Sequence, residues 1–146
     1  MSGARKKAPA KHVQYAALPY RRRSDNRTQV MLVTARESGR WVIPKGWPKK
    51  KTTPAGTAAC EALEEAGVVG TVGRSSIGSY SIRKRLKSGA VVSCVVRVFP
   101  LKVTRQQKSW PERGERDIQW FSRAKAAKIV RERALAEIIL NLPKAK

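Results

Sequence analysis

The chain has 146 residues, enough for one domain around a single core, and carries 32 Lys and Arg against 10 Asp and Glu, a formal net charge of +22. A hydrophobic fraction of 41% with 29% charged residues, and no apolar run near the ~20 residues of a spanning helix, exclude a helical membrane protein. Two cysteines and one histidine leave no disulfide framework, no metal site built on them and no serine–histidine or cysteine–histidine hydrolase scheme.

Residues 1–11, mostly Ala, Lys, Pro and Arg, read as a flexible basic tail ahead of a single domain over 12–146. Residues 12–21 and 29–35 read as strands joined by the polar turn Ser24-Asp25-Asn26-Arg27. Residues 40–43 form a short third strand, and 44–52 a loop punctuated by Pro and Gly. A helix over 54–66 follows, capped by Thr53, opened by Pro54 and stopped by Gly67. Ala55, Ala58, Ala59, Ala62 and Ala66 gather on one side of it, a stripe of small residues for close packing on a sheet, with the glutamates off its centre.

Residues 68–73 and 76–85 read as strands, Ser88-Gly89 as a hairpin turn, and 90–103 as the longest β run, with Cys94 a small core residue. Residues 104–116 are a polar loop carrying Glu112 and Glu115, and 118–121 a last short strand. Ser122 then caps one helix running through residue 142, with Ile129, Leu135, Ile138, Ile139 and Leu142 at helical spacing. Strands and two helices in this order predict a mixed sheet between helices.

Glu61, Glu64 and Glu65 are three of the ten acidic residues, on little more than one turn of the 54–66 helix. Steps of three and four place their Cβ atoms roughly 5–6 Å apart on one face. Bare carboxylates that close repel each other, and a hard divalent cation such as Mg²⁺ relieves the repulsion. The competing reading is a solvated acidic face. Against it, the helix offers no lysine at i+4, and the cluster stands in a strongly basic chain.

The approach to the helix is Arg40-Trp41-Val42-Ile43-Pro44-Lys45-Gly46-Trp47-Pro48. Gly46 precedes Glu61 by fifteen residues, and Glu64-Glu65 closes on Gly67 and Val68. On these residues the chain resembles the Nudix hydrolase family, with Gly46, Glu61, Ala62, Glu64, Glu65, Gly67 and Val68 on the frame of its signature without gaps. Thr52 stands where the first Glu is expected, and Cys60 where an Arg is expected. The strand Ala16-Ala17-Leu18-Pro19-Tyr20-Arg21, the Pro-Lys-Gly entry, and Trp110-Pro111-Glu112 followed by Trp120-Phe121 resemble the diphosphoinositol-polyphosphate-phosphohydrolase-like branch, over about residues 12 to 142.

The resemblance implies an α/β fold, the Nudix mixed β-sheet sandwiched between helices, and hydrolysis of a pyrophosphate linkage with Mg²⁺ or Mn²⁺. It makes Glu61, Glu64 and Glu65 metal ligands or the base that activates water, with the main-chain carbonyl of Gly46 a further ligand. Glu112 or Glu115 would be a late-loop carboxylate of the same site, although each by itself reads as an ordinary surface glutamate. The family's Arg at position 60 pairs with the glutamates, which Cys60 cannot do. Loss of such an orienting group costs on the order of 10–100-fold in metal affinity or activity. Lys51 and Arg36 are the candidates to compensate.

Basic residues cluster at Arg21-Arg22-Arg23, Lys49-Lys50-Lys51 and Arg83-Lys84-Arg85, a field that attracts polyanions. Arg21, Lys45, Lys49, Lys50 and Lys51 are the expected phosphate-binding residues. The expected substrate is a phosphorylated small molecule: a diadenosine polyphosphate, a diphosphoinositol polyphosphate or another nucleoside diphosphate derivative. The alternative is a catalytically weakened module on the same fold that binds RNA or polyphosphate, stacking bases on Tyr80 and Trp47 beside the basic clusters. A structural, ribosome-associated basic protein fits the patterned core poorly. Cysteine usage points to the cytoplasm, away from any membrane.

Overall fold

Alternating side chains along three strands build both faces of the sheet. The computed structural model describes residues 12–142. The expected tail at 1–11 and the last four residues lie outside these described residues. Strand β1 (Val13–Arg22) sends Ala16 and Leu18 to one face and Ala17 to the other. Strand β2 (Thr28–Thr34) does the same with Val30 and Leu32 against Met31 and Val33. The long strand β7 (Val91–Gln106) places Val96 and Val98 opposite Phe99 and Leu101. A period of two makes two cores from one set of strands.

The remaining strands are β3 (Trp41–Val42), β4 (Lys45–Gly46), β5 (Val68–Val72), β6 (Gly78–Arg85) and β8 (Ile118–Ser122). All eight belong to one mixed sheet. β7 runs parallel to β1 along one edge, while its other edge takes β6 over the first half and β5 over the second. β1 pairs with β2 only at Tyr20–Arg22; β2 then diverges, and the short β4 fills the vacated edge at Tyr15 and Ala16. β2 pairs onward with β8 and, at its end, with β3.

Helix α1 (Pro54–Ala66) lies on one face, and α2 (Arg123–Ile129) and α3 (Arg133–Leu140) on the other. α1 has the expected caps: Thr53 Oγ1 accepts from Gly56 N at 2.9 Å, and Gly67, at φ +70°, donates to Leu63 O at 3.0 Å. Ala55, Ala58, Ala62 and Ala66 are buried against the sheet.

Three expectations need correction. Residues 122–142 are two helices, broken at Val130, whose backbone is extended and whose side chain is buried. α2 packs on β2 and β8 while α3 packs on β6, and the extended residue Val130 turns the chain from one group of strands to the other. Lys45 and Gly46, read as loop, form a strand because β1 has a free edge there. The polar residues 104–106 continue β7 because Val68 and Val69 pair with them.

Candidate functional site

Two segments distant in sequence converge on α1. β4 holds Gly46 opposite Tyr15 on the sheet, directly beneath Glu61. The Gly46 Cα lies against the Glu61 carboxyl, in space that any Cβ would fill. Beyond β4 the chain folds back onto α1, where Lys49 N donates to Thr57 Oγ1 at 3.3 Å. Glu61 and Glu65, one turn apart, are buried at 8% and 5% exposure, closer to the sheet than the alanine stripe alone implied. Glu64 is half-exposed on the neighbouring face.

Cations divide the three carboxylates into two groups. Lys49 Nζ bridges Glu61 Oε2 at 3.2 Å and Glu64 Oε2 at 3.3 Å. These contacts, the hydrogen bond to Glu61 foremost, hold the Lys49 ammonium above its ordinary pKa. Arg116, from the loop before β8, approaches Glu65 Oε1 at 3.9 Å and donates Nε–H to Glu112 Oε1 at 2.8 Å. Its Nη1 also donates to Thr34 O at 3.0 Å. The Glu112 main-chain N–H donates to Glu64 O at 3.0 Å, fastening this loop to the last turn of α1.

Burial pushes the Glu65 carboxyl up to about 8 against the pull of Arg116; the hydrogen bond to Glu61 and its charge push the same way, while Lys45 pulls down. Lys45 is shifted below its ordinary value, chiefly by burial, with Lys84 and Arg116 adding to the shift and Glu65 and Glu132 opposing it. Lys45, Glu65 and Arg116 stand in the wall of a cleft of about 370 Å³ that Arg36, Arg40 and Lys84 also line. Gln14, 2% exposed, lines it too, with Oε1 lacking a hydrogen-bond partner.

The other expected residues are scattered. Lys50 and Lys51 are exposed beside the site, Lys51 at φ +61°. Arg21 lies six residues beyond Tyr15 on β1, roughly 20 Å away at ~3.3 Å per residue. It stacks on Trp120 at 4.1 Å and bonds Gln29. Arg36 pairs with Glu115 at 2.8 Å in the open. The cations against the glutamates are therefore Lys49 and Arg116, in place of the expected Lys51 and Arg36. Arg116 was one basic residue among 32, and only its spacing of four from Glu112 marked it. Tyr80, expected as an exposed stacking platform, is a core residue at 5% exposure, because β6 turns it onto α3. Trp47 is 40% exposed, edge-on to His12.

Among the described residues no three ligand side chains already converge on one point. The donor set nevertheless suits a hard divalent cation. It consists of carboxylate oxygens, a lysine ammonium already sits between two of them, and the glycine beneath Glu61 leaves the room its carboxyl occupies over β4.

A glycine-floored, glutamate-bearing helix on a mixed sheet between helices defines the class: residues 12–142 match the NUDIX domain, and the chain belongs to the Nudix family. Nudix hydrolase 12, mitochondrial, of Arabidopsis thaliana is 31% identical over 121 residues, 78% of this chain and 60% of that protein. Diphosphoinositol polyphosphate phosphohydrolase 3-beta of Bos taurus is 31% identical over 111 residues, 74% of this chain and 63% of that protein. The chain thus spans less than two thirds of the length of these relatives. The fold is shared with a C. elegans Ap4A hydrolase (TM-score 0.62, 18% identity, 88% of this chain and 93% of that one). It is shared too with the Nudix domain of Shewanella oneidensis NrtR, complexed with ADP ribose (TM-score 0.63, 16% identity, 94% and 89%).

Proposed function

We propose that the protein is a divalent-metal-dependent pyrophosphohydrolase acting on a highly phosphorylated small molecule. The observation that carries this reading is the burial of Glu61 beside Glu65 over Gly46, with Glu65 in the wall of a cation-lined cleft. Two adjacent buried carboxyls cost stability, and such perturbed pairs in clefts are concentrated at functional sites.

Glu61, Glu64, Glu65 and the Gly46 carbonyl would hold Mg²⁺ or Mn²⁺. When bound, the ion neutralises charge on phosphoryl oxygens and makes a water more acidic. The chain's own groups do the rest. Lys45 and Lys49 hold phosphate oxygens as point charges. A glutamate of the cluster takes the proton of the attacking water as its oxygen bonds to phosphorus. The bond from phosphorus to the bridging oxygen breaks, and the departing phosphate keeps the electron pair. Arg36, Arg40 and Lys84 line a cleft suited to the anionic remainder of the substrate.

The relatives' names bring two substrate classes to this chain, diphosphoinositol polyphosphates and diadenosine polyphosphates. The net charge of +22 supports both. Two free cysteines, one of them exposed, support a reducing compartment such as the cytoplasm. The alternative, a binding module for RNA or polyphosphate, draws on the same charge but loses one of its two stacking residues to the core.

The test is product release from a panel of diphosphoinositol polyphosphates, diadenosine polyphosphates, nucleoside triphosphates and 5′-triphosphorylated RNA. It is run with Mg²⁺, Mn²⁺ or chelator, beside a Glu64→Gln, Glu65→Gln double variant. We expect metal-dependent turnover of at least one member, lost in the variant. No turnover, with salt-sensitive RNA binding unchanged in the variant, would establish the binding module instead.

A further inference from the structure

We infer that Arg116 is the positioning residue of the glutamate site, a cation brought from outside the helix to hold Glu65 and Glu112 in register with α1. The inference rests on the metal-dependent reading above. α1 contains no lysine or arginine of its own. Lys49 serves Glu61 and Glu64 from the preceding loop. Among the described residues, Arg116 is the sole basic side chain within 4 Å of the Glu65 carboxyl oxygens.

The fork of Arg116 is committed on two sides before it meets Glu65. Nε is bound to Glu112 and Nη1 to the Thr34 carbonyl, so groups from the loop and from β2 fix the plane of the guanidinium. Its side chain is 11% exposed. A guanidinium held in this way keeps its Nε at a fixed place 3.9 Å from Glu65 Oε1 and has little freedom to follow a substrate. A lysine has one ammonium on a flexible stem and cannot bind Glu112 and the Thr34 carbonyl through two separate donors of one rigid plane while staying beside Glu65. The main-chain bond from Glu112 to Glu64 closes the unit. α1, the loop and β2 are joined through one side chain at the position where the carboxylates must not drift. Arg116 touches the carboxylates and acts on the reaction through them.

The experiment compares the full chain with Arg116→Lys and Arg116→Gln. Mn²⁺ binding to the substrate-free protein is read by electron paramagnetic resonance. Kinetic constants are then measured on whichever substrate the panel identifies. Loss of an orienting partner costs about 10–100-fold in metal affinity. We expect affinity to fall in the order wild type, Lys, Gln, with kcat falling in parallel and KM at saturating metal unchanged. A raised KM with unchanged Mn²⁺ affinity and kcat would make Arg116 a substrate ligand and overturn the inference. Should Arg116→Gln fail to fold, Arg116→Lys decides alone: wild-type Mn²⁺ affinity in that variant overturns the inference. A wild-type protein that binds no Mn²⁺ would overturn the metal-dependent reading itself, an outcome distinct from wild-type binding that the substitutions leave unchanged.

Discussion

Gly46 forms the floor beneath the carboxyl of Glu61, and its missing side chain is what lets that carboxyl lie down on β4. A methyl group there collides with the carboxylate itself, not with the end of a flexible chain. Gly46→Ala should therefore leave the fold intact and push Glu61 out of place. The expected result is a fall of about 10–100-fold in metal affinity, the scale seen when the support of a ligand is lost. Mn²⁺ titration beside a thermal melt checks this; unchanged affinity in a folded variant would show that Glu61 does not need its seat.

Lys49 competes with any cation for Glu61 and Glu64, since its ammonium stands between them. Lys49→Met removes the competitor. A half-exposed ion pair is worth ~1 kcal/mol at most, so metal affinity without substrate should rise by up to about fivefold. The same change takes a positive charge from the phosphate-binding rim, so KM should rise. Weaker metal binding in Lys49→Met would show that the lysine orders the carboxylates instead of blocking them.

The raised pKa of Glu65 sets a pH dependence. In the metal-free protein burial raises the Glu65 carboxyl to about 8, while in the unfolded chain it titrates near its ordinary 4.5. Between these values the folded state binds the extra proton, so this group's contribution to stability is complete below 4.5 and is lost as pH rises towards 8. Metal binding needs the charged form and should strengthen across the same window. Melting temperatures of the metal-free protein from pH 5 to 8 should fall more steeply for wild type than for Glu65→Gln. Parallel curves would place the burial cost elsewhere.

Gly67 closes α1 at φ +70°, and a Cβ there would meet the ring of Trp110. The left-handed backbone alone costs an alanine about 1–2 kcal/mol, and displacement of Trp110 adds to it. Because Trp110 begins the turn that carries Glu112, Gly67→Ala should lower both melting temperature and Mn²⁺ affinity. Tryptophan fluorescence of the variant reports whether Trp110 has moved; loss of stability with unaltered fluorescence and metal binding would confine the effect to the cap.

What the sequence by itself determined were features written in neighbouring residues. Thr53, Pro54 and Gly67 delimit α1 through local hydrogen bonds and allowed dihedrals, so its span of Pro54–Ala66 was legible without a fold. The order of strands and helices pointed to a mixed sheet between helices, and the spacing of Gly46, Glu61, Glu64 and Glu65 pointed to the family. The tertiary structure alone decided which partners those residues meet. The free edge of β1 made a strand of Lys45 and Gly46, and the last helix breaks at Val130, where a buried side chain on extended backbone turns the chain from β2 and β8 towards β6. The choice of Lys49 and Arg116 over Lys51 and Arg36 came last. In a chain with 32 basic residues, charge is everywhere and carries no address, whereas an ion pair needs a few ångströms of proximity that only the closed fold provides.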